Sequence, residues 1–165
     1  MIHLTRRFHF SASHRLHSSA LTAGANACTY GLCENIHGHN YRLEVTVRGE
    51  PDPQTGFFCN VMELAATVQR LVVEPCDHRY LNDVALFAGA ITTMENLAAG
   101  IWKAIEPALR AQGMQLSEVL FAETDEHWVR LRADPPARKR AVRAPTTTAR
   151  SANRSAQRTQ RRRRE

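Results

Sequence analysis

The sequence predicts an α+β domain in which two helices cover one face of an antiparallel sheet. Apolar and polar residues alternate at both ends of residues 1–134, two amphipathic helical segments lie between these strands, and short turn sequences join the elements. Period-2 alternation is typical of a half-buried strand, and apolar residues three and four apart are typical of a half-buried helix. Because helices and strands are grouped rather than alternating, the pattern favours an antiparallel sheet.

The first two predicted strands share one pattern. Apolar side chains alternate with polar ones, as in a strand with one buried face. They are Ile2, Leu4, Phe8 and Phe10 in the first strand and Tyr41, Leu43, Val45 and Val47 in the second. Residues 18–32 between them are rich in small and polar side chains. They are predicted as a long loop, a kind of segment that is often functional.

A short strand at residues 57–59 and a helix are predicted next, after the turn sequence GEPDPQTG. Asn60 and Glu63 have the spacing of a capping box, which predicts that the helix begins at Asn60. Apolar residues at helical spacing continue as far as Val72. Pro75 is expected to end the helix. The polar segment CDHRYLND that follows is predicted to be irregular.

The second predicted helix begins near Thr92 or Thr93 and ends at Gly113. Thr92 and Glu95 again have capping-box spacing, and a glycine commonly terminates a helix. Its buried stripe consists of Met94, Leu97, Ala98, Ile101, Trp102, Ile105 and Leu109. Two strands joined by a tight turn within ETDEH complete the domain.

The basic charge of the chain is concentrated at its C-terminal end. Residues 1–134 hold 11 lysines and arginines against 15 aspartates and glutamates, a balance of −4, whereas residues 135–165 hold 11 against one, a balance of +10. The last segment has almost no large apolar side chains and is predicted to be a disordered, arginine-rich tail. Pro135 and Pro136 mark its boundary with the folded domain. The overall charge therefore does not indicate that the folded domain binds nucleic acid.

The sequence carries no sign of a membrane or secreted protein. No segment approaches the roughly 20 apolar residues of a membrane span, and the first residues lack the charged-then-apolar pattern of a signal peptide. We therefore predict a cytoplasmic protein. None of the four cysteines forms a Cys-x-x-Cys pair, which weakens the case for a structural zinc finger. Cys59 and Cys76 are expected to be free and buried.

The segment HGHNY carries the strongest chemical signal. In a strand, residues i and i+2 point to the same side, so His37 and His39 are expected to project from its apolar face. Two neighbouring imidazoles there need polar partners, and a shared metal ion provides one. A catalytic zinc site takes three protein ligands and keeps one position open. His14 is a candidate third ligand, with His17 and Cys33 as rivals.

Three further groups are candidates for acid–base or binding roles near such a metal. A cysteine near zinc or a histidine can ionise at neutral pH, so Cys33 is a candidate ligand, base or nucleophile. Asp77 and His78 are adjacent and form a candidate acid–base pair. Glu123 shares the parity of apolar strand residues, where a carboxylate needs donors unless it lies at an edge and reaches water.

Taken together, these motifs resemble the 6-pyruvoyltetrahydropterin synthase / 6-carboxytetrahydropterin synthase family. The matching segments are, in chain order, FSASHRLH, Cys-x3-HGHNY, DPQTG, DHRYLND, TTMEN and ETDEHW. Each is weak alone, but their order and spacing match across roughly residues 3–131. The basic tail has no counterpart in the family pattern.

The resemblance implies the T-fold, in which two helices pack on one face of a four-stranded antiparallel sheet. It implies a homo-oligomer, commonly a hexamer built from two trimers, with active sites between subunits. It also implies a Zn²⁺ ion held by His14, His37 and His39.

The same resemblance implies an enzyme that acts on 7,8-dihydroneopterin triphosphate. Cys33 matches the family's catalytic cysteine, and Asp77 and His78 match its Asp-His pair. The residues that match the pterin pocket are Glu123, Thr93 and Glu95. In this scheme zinc binds oxygens of the substrate side chain as a Lewis acid. Cys33 then moves a proton, and Glu123 accepts the N–H donors of the pterin ring.

The chain combines features of two branches of the family. Members that form 6-carboxytetrahydropterin for queuosine synthesis typically have three residues between the cysteine and HGH, and members that form the 6-pyruvoyl product for tetrahydrobiopterin typically have five. This chain has three, residues 34–36, although its other motifs look more like the pyruvoyl-forming members. Because the cysteine lies nearest to the chemistry, we predict a 6-carboxy-5,6,7,8-tetrahydropterin synthase. The 6-pyruvoyl activity is the alternative.

Two hypotheses from other classes remain. Polybasic tails bind phosphate backbones without sequence preference, so residues 135–165 are a candidate nucleic-acid-binding segment. A solvated tail without a partner is the favoured interpretation of the same residues. Alternatively, the protein is a non-catalytic zinc protein with an inert Cys33. Such a protein would have no need of Asp77, His78 and Glu123 together with that cysteine, which favours the enzyme.

Overall fold

The computed structural model describes residues 1–133 of the chain. They form one antiparallel sheet with the strand order β1-β2-β3-β4. The strands are β1 (Ile2–His14), β2 (His37–Gly49), β3 (Gln115–Ala122) and β4 (Trp128–Arg132), and the α-helices are α1 (Ala23–Tyr30), α2 (Val61–Val68), α3 (Glu74–Cys76) and α4 (Met94–Ala111). Within these residues no helix combines the length and apolar character needed to cross a bilayer. The predicted basic tail, 135–165, lies outside the described residues.

The sheet is built on the long pairing of β1 with β2. Their register runs from Ile2 opposite Gly49 to His14 opposite His37. On its other edge β2 pairs with β3, which in turn pairs with β4. Because β2 has a partner on each side, the apolar residues along its centre are fully buried. They are Tyr41, Leu43, Val45 and Val47.

Helices cover one face of the sheet, which confirms the predicted α+β class. The side chain of Asn60 caps α2 by accepting the N–H of Met62, as the capping-box spacing predicted. A π-helical turn (Gln69–Val73) joins α2 to α3, and this segment and α4 pack on the sheet. Fully buried helical residues are Leu64, Val68, Val72, Leu97, Ile101, Ile105 and Leu109. Since burying each such side chain contributes about 1.5–3 kcal/mol, this core fixes the position of the strands.

The prediction of a loop over residues 18–32 was wrong, because the segment contains α1. Thr22 caps this helix by accepting the N–H of Ala25. Asn26 is fully buried, and its amide donates to three backbone carbonyls within residues 18–22. Small residues gave the segment a loop-like composition, but alanine is also the strongest helix former. The buried side chain of Asn26 thereby ties residues 18–22 to α1.

Two smaller expectations also changed. Residues 57–59 do not form a strand, since Phe58 packs against the edge of the core instead of pairing with a strand. The cap of α4 is Thr93, whose hydroxyl accepts the N–H of Asn96. Thr92 is fully buried, and its hydroxyl donates to the carbonyl of Arg15 instead of capping the helix.

Candidate active site

Three histidines meet at one end of the sheet. His14, the last residue of β1, lies opposite His37, the first residue of β2, and His39 follows on the same side. The ring centroids are 4.5 Å apart for His14 and His37, 5.1 Å for His14 and His39, and 5.0 Å for His37 and His39. One nitrogen from each ring lies within 4.8 Å of the other two. The structure therefore brings the three predicted ligands together in an arrangement that could hold a metal ion.

Backbone carbonyls orient two of the three rings. Nδ1 of His14 donates to the carbonyl of Thr92 over 2.9 Å, and Nδ1 of His37 donates to the carbonyl of Asn35 over 2.8 Å. A neutral ring that donates from Nδ1 carries its lone pair on Nε2, the usual arrangement of a metal-binding histidine. The role of the Thr92 carbonyl in orienting His14 could not be predicted from the sequence, because every residue type has a backbone carbonyl.

Burial favours the neutral form of His14 and His39. His14 is 1% exposed, and this burial is the main cause that lowers its pKa to about 4. Burial is also the main cause that lowers the pKa of His39, and the charge of His37 adds to it. Neutral imidazole is the form that binds a metal ion. At neutral pH the buried ring of His14 is therefore ready to act as a ligand.

Glu123 reaches the same cluster from the turn after β3. Its Oε1 lies 3.6 Å from Nε2 of His14, and its Oε2 lies 4.0 Å from Nε2 of His39. The side chain is only 17% exposed, so Glu123 points to the core side, as strand parity indicated, and not into open solvent. Burial is the main cause that raises the pKa of this carboxyl, and the charge of nearby Glu95 raises it further.

The two other residues predicted for a pterin pocket lie at the start of α4. Glu95 stands exposed in the first turn, near enough to Glu123 for their charges to interact. The hydroxyl of Thr93 is engaged in capping, with 3.4 Å between its oxygen and the nitrogen of Asn96. The structure thus places a second carboxylate within range of the charge of Glu123.

Cys33 lies exposed on a short 3-10 helix, Gly31–Glu34. The N–H of Leu16 donates to the carbonyl of Cys33 over 2.8 Å. Beside it, Nδ1 of His17 lies 3.5 Å from Oε1 of Glu34. These contacts hold the cysteine segment against the chain that follows β1. His17, the rival ligand, lies beside Glu34 and is not part of the histidine cluster.

Asp77 and His78 form a pair beside the free edge of β1. Nδ1 of His78 lies 2.9 Å from Oδ1 of Asp77. Ser11 clamps the pair, because its N–H donates to Oδ1 of Asp77 over 3.0 Å and its carbonyl accepts the N–H of His78 over 2.6 Å. His78 has a φ of +56°, unique among the described non-glycine residues. Such a conformation costs about 1 kcal/mol or more and persists where its surroundings hold it, as Ser11 does here.

The hydrogen bond from the N–H of Ser11 favours the ionised form of Asp77. The N–H of Ser11 is the main cause that lowers the pKa of Asp77, and the imidazole of His78 adds to it. Asp77 is therefore ionised at neutral pH and can orient the imidazole of His78. That imidazole is 82% exposed.

The predicted catalytic residues form two separate groups. Within residues 1–133, no hydrogen bond or ion pair joins Cys33 to Asp77 or His78. The three histidines, in contrast, lie together, and Glu123 stands beside two of them. That cluster offers nitrogen donors to a metal ion and a carboxylate beside it, which suits a substrate that binds both a metal and an anionic acceptor.

Comparison with known proteins supports the resemblance. A family model described as 6-pyruvoyl tetrahydropterin synthase matches residues 3–134. A 6-pyruvoyl tetrahydrobiopterin synthase of Poecilia reticulata is 42% identical over 135 residues, which cover 80% of this chain and 90% of the relative. A putative 6-carboxy-5,6,7,8-tetrahydropterin synthase of Archaeoglobus fulgidus is 26% identical over 115 residues, which cover 70% of this chain and 91% of the relative.

A solved structure shows the same fold. The 6-pyruvoyl tetrahydropterin synthase of Caenorhabditis elegans superimposes with a TM-score of 0.73 at 33% identity, and the match covers 80% of this chain and 95% of that chain. The predicted T-fold is thereby confirmed.

Proposed function

The chain belongs to the 6-pyruvoyl tetrahydropterin synthase family, and we propose that it is a zinc-dependent lyase that eliminates triphosphate from 7,8-dihydroneopterin triphosphate to form 6-pyruvoyl tetrahydropterin. The observation that carries this proposal is the convergence of His14, His37 and His39 with Glu123 beside them. A site of this composition can bind a substrate through a metal ion and through hydrogen-bond donors at the same time.

The product assignment follows the relatives rather than the cysteine spacing. The pyruvoyl-forming relative is 42% identical and the carboxy-forming one is 26% identical. Residues 33–36, where the shorter spacing occurs, are mostly exposed, in a 3-10 turn and the connection to β2. Length changes in exposed connections leave paired strands, and hence the ligands on them, largely unchanged. The 6-carboxy activity that the spacing favoured therefore becomes the alternative.

Zinc fits the donor set. Nε2 is the free lone-pair nitrogen of His14 and His37, and burial keeps His14 neutral. Three neutral imidazoles with one position open are typical of a catalytic zinc ion. When bound, zinc would supply Lewis-acid chemistry toward oxygens of the substrate side chain. His14, His37 and His39 would hold it.

Glu123 is proposed to grip the pterin ring. An ionised carboxylate only accepts hydrogen bonds, which suits the paired N–H donors of a pterin. Its position beside the histidines would hold the ring while the side chain of the substrate lies at the metal. Glu95 and Thr93 are proposed to line the same pocket. The charge of Glu95 raises the pKa of Glu123, which is consistent with this position. Leaving the N–H donors of the ring without an acceptor costs about 1–3 kcal/mol.

Proton movement is assigned to the exposed groups. Cys33, as a thiolate, would take or return the proton, and His78, oriented by Asp77, would relay it. These groups are separate within one chain, so we expect them to act in a homo-oligomer, commonly a hexamer, with sites between subunits. The mass of the assembly in solution tests this expectation, and a monomer with full turnover would contradict it.

Product analysis tests the proposed function. The zinc-loaded protein is incubated with 7,8-dihydroneopterin triphosphate, and the products are identified by mass spectrometry. A 6-pyruvoyl pterin with released triphosphate supports the proposal. A 6-carboxy pterin with acetaldehyde would instead support the alternative. Zinc binding without turnover would overturn both and favour the non-catalytic zinc protein.

A further inference from the structure

Two cavities, each of about 490 Å³, lie side by side at the histidine end of the sheet. Both are lined by Gly38, His39 and Asn40 of β2. One reaches Ser11 and Ser13 on β1 and is called the serine cavity here. The other reaches the turn after β3 and is called the carboxylate cavity. Because His39 lines both, a substrate held at the histidine cluster can extend into each of them, and their volumes are typical of small-molecule sites.

The carboxylate cavity does not suit a polyanion. Besides the shared residues, it is lined by His9, Arg42, Ala122, Glu123, Thr124 and Asp125. The guanidinium of Arg42 is already paired, since its Nη1 lies 3.2 Å from Oδ1 of Asp125 and its Nε lies 3.8 Å from Oε1 of Glu44. The carboxyl groups of Glu123 and Asp125 offer hydrogen-bond acceptors and would repel phosphate groups. This cavity therefore suits the N–H donors of a ring.

The serine cavity has the opposite character. Besides the shared residues, it is lined by Ser11, Ala12, Ser13, His78, Arg79 and Tyr80. Oγ of Ser11 donates to Oδ1 of Asn40 over 2.7 Å, which leaves the amide N–H groups of Asn40 available. The nearby carboxylate of Asp77 is occupied by the N–H of Ser11 and the imidazole of His78. Arg79 is exposed and forms no ion pair within residues 1–133. The wall thus offers hydrogen-bond donors and a free positive charge.

The backbone fixes the position of Arg79 on this wall. The N–H of Ser13 donates to the carbonyl of Arg79 over 2.9 Å, and the N–H of Arg79 donates to the carbonyl of Cys76 over 3.1 Å. An isolated parallel bridge also pairs Ser13 with Tyr80. These bonds tie Arg79 to the strand that ends at His14. A guanidinium anchored in this way is suited to a phosphate group, with which it forms charge-assisted hydrogen bonds.

We propose that the serine cavity binds the triphosphate of the substrate, with Arg79 supplying the positive charge and with Ser13 and Asn40 donating hydrogen bonds. This inference rests on the proposed function for the identity of the ligand. The pterin ring then lies in the carboxylate cavity, and the carbons of the substrate side chain pass between the two cavities at the histidine cluster. His78 also lines the serine cavity, so the leaving group and the proposed proton relay share one wall.

Binding of inorganic triphosphate tests the proposal without turnover. Isothermal titration calorimetry measures its Kd for the full-length wild type and for Arg79→Ala. We expect the variant to bind at least about tenfold more weakly, because hydrogen bonds to a charged group are lost. Arg79→Lys, which keeps the charge, should recover part of this affinity. Arg70→Ala is the matched control, since Arg70 is also exposed but lines neither cavity, and it should keep the wild-type Kd.

A second titration, with neopterin, tests the division between the cavities. Neopterin carries the pterin ring without phosphate, so Arg79→Ala should keep the wild-type Kd for it. Glu123→Gln should bind neopterin more weakly and keep the wild-type Kd for triphosphate. The proposal is overturned if Arg79→Ala binds triphosphate within about twofold of the wild type. It is also overturned if Arg70→Ala binds as weakly as Arg79→Ala, since binding would then follow the total charge of the chain, its basic tail included.

Product analysis separates failure of this inference from failure of the proposed function. If the protein makes the 6-pyruvoyl product but its triphosphate binding does not depend on Arg79, only the inference is wrong. A protein whose triphosphate binding depends on Arg79 but which makes no pterin product would overturn the proposed function and leave the triphosphate site standing.

Discussion

His14, His37 and His39 are carried by two paired strands, whereas Cys33 and His78 stand on short segments outside the sheet. The register of β1 and β2 determines where the histidines meet. The buried ring of Tyr41 lies beneath them, 5.4 Å from His39 and 6.0 Å from His14. The thiol of Cys33 and the imidazole of His78 are exposed and depend on a few local hydrogen bonds.

This difference suggests that metal binding and proton transfer can be altered separately. The proposed metal site is carried by strands of the hydrophobic core, so changes there should affect both folding and metal affinity. The exposed groups contribute little to the core, so changing them should leave the fold and the metal intact. Variants of the two regions, taken from the largest expected effect to the smallest, test whether the regions are independent.

His14→Ala should have the largest effect. It removes a buried side chain that we propose as a metal ligand. We expect zinc affinity to fall by at least about 100-fold, because even the loss of a residue that only supports a ligand can lower metal affinity by up to about 100-fold. Turnover should be lost with the metal. Chelator competition measures the affinity, and circular dichroism shows whether the variant folds.

His17→Ala is the matched control for this change. His17 lies three residues away and pairs with Glu34 outside the cluster, so its loss should leave zinc affinity unchanged. If His17→Ala loses zinc as His14→Ala does, the assignment of His14, His37 and His39 as the ligand set is wrong.

Cys33→Ala should separate chemistry from metal binding. Because the thiol is exposed and outside the histidine cluster, zinc content should stay at the wild-type level. Turnover should fall by about 10²–10⁴-fold, the usual contribution of a group that transfers a proton. Cys28→Ala, which changes another exposed free cysteine, should keep full activity. Undiminished turnover in Cys33→Ala would remove Cys33 from the mechanism.

Asp77→Asn should change how stability depends on pH. The pKa of Asp77 lies below its ordinary value of 3.8 in the folded protein, mainly because the N–H of Ser11 donates to it. Its contribution to stability is therefore fully present above that value and is lost as pH falls through the lower folded pKa. The variant should be less stable than the wild type at neutral pH, and the two should converge as the pH falls below the lowered folded pKa of Asp77.

Thermal unfolding midpoints measured from neutral to acid pH check this expectation. A constant difference between Asp77→Asn and the wild type across that range would argue against the clamp by Ser11. Turnover should also fall in the variant, with zinc content unchanged, because His78 loses its orienting charge.

Glu34→Gln should have the smallest effect. Glu34 and His17 are partly exposed and form an ion pair only when His17 is protonated, and exposed ion pairs contribute at most about 1 kcal/mol. We expect kcat/KM to fall by no more than about fivefold, with no change in zinc affinity, because only the segment that bears Cys33 is loosened. Steady-state kinetics measures the change. A larger loss accompanied by loss of zinc would show that the two regions are coupled.

Much of the fold could be predicted from local pattern. Period-2 alternation located the long strands, and capping-box spacing located the start of α2 at Asn60. The small and polar composition of residues 18–32 predicted a loop, whereas the structure has α1 there, with Asn26 buried in it. No local pattern reveals that an asparagine will be buried, because its partners are backbone carbonyls.

The sequence by itself determined which side chains share a face. Strand parity placed His37 and His39 on the apolar side of β2 and Glu123 on the core side of its turn, since side-chain direction in a strand repeats every two residues. Only the tertiary structure decided which groups meet. The register that sets His14 opposite His37 makes His14, and not His17, the third histidine of the cluster. Register and the paths of connecting segments depend on contacts between residues far apart in the chain, which no local pattern contains.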